Sequence, residues 1–321
     1  MINEKTFGIH FFIAANVSAG RTDNFSNKTQ DKNKNSKEPK NMLEIKNVVK
    51  LNDGLLLPPV GFGTYRLNGL SGTEAIKQAI DAGYRLIDSA FNYENEGAVG
   101  AAVRQSPVPR DQLIVTSKLP GRHHKFGEAL LTVEESLLRT GLDYIDIYLI
   151  HWPNPVTGLY VEAWQAMIEA KKRGLVRSIG VCNFLPEHLD KIISETSVAP
   201  CMNQIELHPY FTQEEQRKYD GKHEIVTEAW SPIGRANSVL EEPAVKEIAA
   251  AHQKAPTQII LRWHIQLGSL PIPKAASRQH QMENIDIFNF ALSSEEMDQI
   301  SSLSRPDGRM CKQDPAVYEE F

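Results

Sequence analysis

At 321 residues the chain is long enough for one large α/β barrel or two smaller domains, and 41% hydrophobic against 23% charged residues is ordinary for a globular protein. No run of about 18 apolar residues offers a membrane span. The net charge is −5, and because the first 41 residues carry seven basic against four acidic side chains the remainder stands at −8, which argues against nucleic-acid binding.

Residues 21–41, "RTDNFSNKTQDKNKNSKEPKN", are nearly devoid of apolar side chains and cannot bury enough surface to offset the entropy of ordering, so disorder is expected there. The preceding "FGIHFFIAANVSAG" has the look of a secretory apolar region, but Glu4 cancels the charge of Lys5. Residues 1–41 therefore read as a disordered or dispensable extension, with the compact domain spanning 42–321. "VVKLNDGLLLP" has the signature of a hairpin turning on Asn52-Asp53-Gly54 and lying outside the main fold. Short Val/Ile/Leu-rich runs then follow at 59–65, 86–90, 113–119, 144–152, 177–184, 202–208, 225–232 and 270–275. Segments of helical period separate them, such as "GTEAIKQAIDAGY", "VEAWQAMIEAKKRG" and "PEHLDKIISET". Eight β-then-α units predict an α/β fold of the closed (β/α)8 TIM-barrel type. No G-x-G-x-x-G opens a helix after the first strand, which counts against a Rossmann site.

In such a barrel the chemistry sits at the C-terminal ends of the strands. Those ends carry Asp88, Lys118, His151, Asn183, Gln204 and Trp230, an unusually polar set. Each alone reads as a capping or rim residue. Together, with Tyr93 five residues beyond Asp88, they suggest a proton relay. A phenol titrates near 10, an ammonium beside it stabilises the phenolate, and a carboxylate keeps that ammonium charged and oriented. His151, as a donor, would bind a carbonyl oxygen on which charge develops. None of the four supplies a hydride, so the scheme needs a cofactor.

"GFGTY", "LIDSAFNYENE", "VTSKL", "LIHWP", "GVCNF", "NQIELHP", "AWSPIGR" and "PIPKAASRQHQMENIDIF", in this order, resemble the aldo-keto reductase superfamily. The bacterial-type group of diketo-gluconate and small-aldehyde reductases fits best, since "AWSP" has tryptophan where many animal members have tyrosine. The resemblance implies NADPH-dependent reduction of aldehydes and ketones to alcohols without a metal. It assigns Tyr93 as proton donor, Lys118 and Asp88 as its partners and His151 as substrate-orienting group. It also implies that Trp230 stacks on the nicotinamide while Asn183 and Gln204 hold the carboxamide. Ser231, Ile233 and Gly234 would run beside the pyrophosphate, and Lys274, Ser277, His280, Glu283 and Asn284 would hold the adenosine and its 2′-phosphate.

Three positions depart from the family pattern. Cys182 stands for a serine, Ala275 removes a hydroxyl from the 2′-phosphate site, and His280 replaces an arginine, with Arg278 close by. Histidine is charged only in part near neutral pH, so NADPH is expected with NADH left open. Trp152 and Tyr65 are expected to wall the substrate pocket, with Phe91 nearby, and the short tail 305–321 suggests an open pocket for small carbonyls or keto-sugars. His123 and His124 lack carboxylate or cysteine partners at ligand spacing and read as a solvated loop rather than a metal site. Cys182, Cys201 and Cys311 are odd in number and far apart, which reads as reduced thiols of a cytoplasmic protein. A monomer is expected, without nucleic-acid or membrane partners. Two other readings stay open: a Schiff-base aldolase using Lys118 as nucleophile, and a non-enzymatic binding protein on the same barrel.

Overall fold

The computed structural model describes residues 48–236, 238–310 and 312–321, so the expectations for residues 1–41 and for Cys311 lie outside the described residues. The chain opens with the hairpin β1 (Val49–Lys50) and β2 (Leu56–Leu57), paired antiparallel. Gly54 takes φ +96, a value its lack of a Cβ permits. A parallel sheet follows: β3 (Phe62–Gly63), β4 (Leu86–Asp88), β5 (Ile114–Leu119), β6 (Ile145–Ile150), β7 (Val176–Cys182), β8 (Met202–Glu206), β9 (Val226–Trp230) and β10 (Leu270–Pro271). Each strand pairs with the next in chain order. The helices are α1 (Gly69–Ala82), α2 (Glu96–Gln105), α3 (Phe126–Thr140), α4 (Tyr160–Lys172), α5 (Pro186–Thr196), α6 (Glu214–Lys222), α7 (Pro243–His252), α8 (Pro256–Gln266), α9 (Arg278–Ile285) and α10 (Ser294–Ser301).

Two backbone hydrogen bonds close the ring, from Gly61 N–H to the Pro271 carbonyl (3.0 Å) and from Gly63 N–H to the Pro273 carbonyl (3.1 Å). The return bonds of a parallel ladder would need N–H groups from Pro271 and Pro273, which have none. That corrects the expected strands 59–65 and 270–275: regular pairing shrinks there to 62–63 and 270–271, although the chain still closes. The glycines make the seam. A Cβ on Gly63 would lie 2.9 Å from the Ile272 carbonyl oxygen, so a side chain would force the strands apart.

The barrel interior is apolar at its N-terminal end, where Leu51 and Leu57 of the hairpin pack against Leu86, Ile114, Ile147, Met202 and Leu270. Outside the sheet, helix faces cover the strands. Trp164 and Met167 of α4 pack against Ile145, Tyr148 and Val181, while Ile76 and Ile80 of α1 pack against Phe62 and Ile87. With one end plugged by hydrocarbon, polar interior side chains are confined to the other end. Among the described residues no helix is long and apolar enough to cross a membrane.

Candidate active site

Strand register builds the polar end. Asp88, the last residue of β4, pairs with Thr116 on β5, and Lys118 two residues further projects on the same face. Lys118 Nζ lies 2.8 and 2.7 Å from the two Asp88 carboxylate oxygens and donates to the Ser89 carbonyl at 2.7 Å. Both side chains are buried. Burial alone would lower the Lys118 ammonium, but the Asp88 carboxylate outweighs it and pushes that group above the usual lysine range.

Tyr93 ends a single 3-10 turn, Phe91–Tyr93, and the loop that carries it is clamped. Asn68 Nδ2 donates to the Tyr93 carbonyl (2.8 Å), and Asn95 Nδ2 donates to the Thr64 carbonyl (2.7 Å) while its Oδ1 accepts from Ser89 Oγ (2.7 Å). Lys118 Nζ sits 4.9 Å from the Tyr93 ring centroid, and the rings of Tyr93 and His151 are 5.8 Å apart, edge to face. Burial raises the Tyr93 hydroxyl above the usual phenol range, and the Lys118 charge pulls the other way. The hydroxyl is thus held protonated, beside the one charge that favours its giving the proton up.

β7, β8 and β9 place Cys182, Gln204 and Glu228 side by side in register. Gln204 Nε2 donates to Asp88 Oδ2 (2.9 Å) and to Glu228 Oε2 (2.6 Å). Its N–H groups are committed, leaving its carbonyl oxygen to accept from a ligand. Asn183 joins the group from the left-handed region (φ +61), donating to the His151 carbonyl at 3.0 Å and accepting from Trp230 Nε1 at 2.8 Å. Ser231, directly after β9, is also left-handed (φ +49), as are Glu94 beside Tyr93 (φ +54) and Asn154 after β6 (φ +46), so non-glycine outliers cluster at this end of the barrel. The Gly234 N–H is spent on the Ser231 carbonyl. On the rim, Ser277 caps α9 by accepting from His280 N–H, with Lys274, Arg278 and His280 exposed beside it, Glu283 half-buried and Asn284 buried. A buried amide pair with a free acceptor and an exposed cationic rim fits a nicotinamide dinucleotide at its two ends.

The substrate side differs from the sequence expectation. Tyr65 is half-exposed and edge-on to Tyr93, as befits a wall. Trp152 is buried and packs against Tyr318 of the tail, the ring centroids 4.5 Å apart and the planes tilted by 57°. Phe91 turns away, packing under Arg139 and against the edge of His123. His124 is not solvated but buried, and burial lowers it to about 4, because the 120–125 loop folds beneath the C-terminal tail. Among the described residues no group of three or more His, Cys, Asp or Glu side chains could hold a metal ion. The tail, though short, does not leave the pocket open on its side: Glu320 Oε1 approaches His151 Nδ1 at 2.7 Å.

Glu228 and Glu320 are the two site residues that sequence reasoning missed. Burial, with Asp88 adding like charge, raises Glu228 to about 8, so it is largely protonated at neutral pH. A raised folded-state value favours the folded protein at low pH, an advantage lost as pH rises towards 8. Glu228→Gln should therefore gain stability relative to wild type between about pH 5 and pH 8, by up to a few kcal/mol, read as a growing Tm difference. A Tm difference constant across that range would show that folding leaves this carboxyl unperturbed.

The Aldo/keto reductase family model matches residues 59–305. The chain belongs to that family. This aldo/keto reductase is 51% identical over 273 residues to 2,5-diketo-D-gluconic acid reductase B of Corynebacterium sp. (strain SHS752001), covering 85% of this chain and 98% of that protein. It is 42% identical to methylglyoxal reductase DkgA of Escherichia coli (strain K12), covering 84% and 98%. A Gox0644 mutant solved in complex with NADPH superposes with a TM-score of 0.81 at 39% identity, covering 85% of this chain and 98% of that one.

Proposed function

We propose that this aldo/keto reductase reduces small aldehydes, ketones or keto-sugars to alcohols with NADPH, Tyr93 giving the proton. The observation that carries the reading is the buried Lys118–Asp88 pair set beneath the protonated Tyr93 hydroxyl and beside His151. A bound nicotinamide dinucleotide would supply the hydride. Asn183 and Gln204 would orient the carboxamide, and Trp230, steered by Asn183, would offer its ring face. Ser231, Ile233 and Gly234 would line the pyrophosphate path, and Lys274, Ser277, His280, Glu283 and Asn284 the adenosine end. As the carbonyl carbon is reduced, charge develops on its oxygen, which His151 and Tyr93 would meet with hydrogen bonds before Tyr93 passes its proton across. Trp152 and Tyr65 would position the carbonyl.

Lys118 is held charged by Asp88, so it has no lone pair for a Schiff base, and the aldolase reading loses its nucleophile. The domain is proposed to begin near residue 42 and to act as a cytoplasmic monomer. NADPH consumption with a panel of small aldehydes and dicarbonyls tests the activity, and no turnover of any would overturn it. Lys274→Ala should raise the KM for NADPH about tenfold while moving that for NADH far less, since only NADPH carries the 2′-phosphate. Equal changes for both cofactors would remove Lys274 from the phosphate site.

A further inference from the structure

Beneath Gln204 the barrel buries two carboxyl groups and one ammonium. Gln204 Nε2 donates to Asp88 Oδ2 at 2.9 Å and to Glu228 Oε2 at 2.6 Å, so both acids hang from one nitrogen. Of the two, only Asp88 is bonded to the ammonium, with Lys118 Nζ at 2.8 and 2.7 Å from its oxygens. Glu228 Oε1 is buried with no hydrogen-bond partner among the described residues. An ionised carboxylate would leave that oxygen's charge uncompensated, whereas a neutral acid costs far less to bury bare. Glu228 and Trp230 are two residues apart on β9 and share one face of the strand, with Gln204 of β8 in register beside Glu228. A charge on Glu228 therefore stands beneath the nicotinamide end of the site, which Trp230, Asn183 and Gln204 are proposed to form.

The groups packed around Glu228 leave it as the variable charge. Asp88 of β4 and Lys118 of β5 cancel one another. Cys182 of β7, and Cys201 just before β8, are thiols that burial raises well above their usual range. β8 adds Gln204 and, two residues on, Glu206, which is bound to His208 at 3.0 Å, while β10 opposes Glu228 with Leu270. Burial holds the Tyr93 hydroxyl protonated, and Glu228 itself is raised to about 8 by burial and by the like charge of Asp88. We propose that Glu228 sets the relative affinity of the site for oxidised and reduced cofactor: as a neutral acid it leaves the floor without net charge, and as a carboxylate it adds one negative charge that favours the cationic oxidised nicotinamide over the neutral reduced ring. It acts through its field, without touching the ring. Near neutral pH the site withholds this attraction from the oxidised product, which suits reduction. By reciprocity, binding of the oxidised cofactor draws the Glu228 proton into solvent.

This rests on the carbonyl-reductase reading, and the test separates the two. The probes are NADP+ and NADPH, bound to the full chain without carbonyl substrate and followed by isothermal titration calorimetry, with the ratio of Kd for NADPH to Kd for NADP+ as the readout. Titration of the 2′-phosphate, Lys274 and His280 affects both ligands alike and cancels. In the wild type the ratio should rise roughly five- to tenfold between about pH 6.5 and about pH 9.5, the effect of one charge across several ångströms at an effective dielectric of ~20–40. Glu228→Gln, which keeps the shape but cannot ionise, should hold the ratio at its wild-type low-pH value throughout. Tyr93→Phe should keep the rise, because the charge is not the tyrosine's. A wild-type ratio constant within twofold overturns the proposal with no variant needed. A full rise in Glu228→Gln overturns it too, as does loss of the rise in Tyr93→Phe, which would assign the charge to the phenolate. Binding of both cofactors with an unmoved ratio removes the proposal alone; binding of neither removes the reductase reading and the proposal with it.

Discussion

Tyr93→Phe should lower kcat/KM for aldehyde reduction by roughly 10²- to 10⁴-fold or more, while the Kd for NADPH changes less than about twofold. The substitution deletes one oxygen and leaves the ring. The edge contacts to Tyr65 at 5.1 Å and to His151 at 5.8 Å persist, and so does the loop, because Asn68 and Asn95 clamp it through backbone and neighbouring groups rather than through the hydroxyl. Only the proton is removed. Lys118 cannot replace it: Asp88 raises its affinity for its own proton and a bidentate contact keeps it turned away. Steady-state assays with fluorescence titration of NADPH separate chemistry from binding. A variant retaining more than a tenth of wild-type turnover would remove the donor role from Tyr93 and point to His151, whose ring meets it at 5.8 Å.

The comparison of sequence and structure divides along the range of the contacts involved. The hairpin turn, α5 at 186–196 and the eight-strand count follow from local periodicity and turn chemistry, and they stand where the pattern places them. Asp88 and Lys118 were legible as partners because a parallel ladder with period-two side chains delivers strand-end residues to one place. The first and last strands were overdrawn because apolar runs do not reveal missing N–H groups, though Pro271 and Pro273 were on view. Glu228 also left a signal, a single acid inside "IVTEAWSP" at an inward position, which reads as a strand flaw until Asp88 and Gln204 are seen beside it. Glu320 left none. Its partners Asn92 and Asn154 are 228 and 166 positions away in the chain, and nothing in "VYEEF" distinguishes the acid on the histidine from the acid on the loop. His124 misled for the same reason, since its burial comes from that distant tail.

Lys118→Met should cost stability as well as activity, and a double substitution should tell the two apart. Removing the ammonium strands the Asp88 carboxylate, 2% exposed, with Gln204 as its remaining donor. Breaking a buried ion pair from one side costs about 3–5 kcal/mol, chiefly because the surviving charge lacks compensation. Asp88→Asn added to Lys118→Met removes that charge and should recover most of the loss, measured by urea denaturation. Reductase activity should not return, because the double variant has no cation beside Tyr93 to ease departure of its proton. If the double variant is as unstable as the single, Lys118 holds the barrel through packing of its chain rather than through charge. If either variant keeps turnover within tenfold of wild type, the pair is a structural tie at the barrel's polar end, and Tyr93 works as an acid without it.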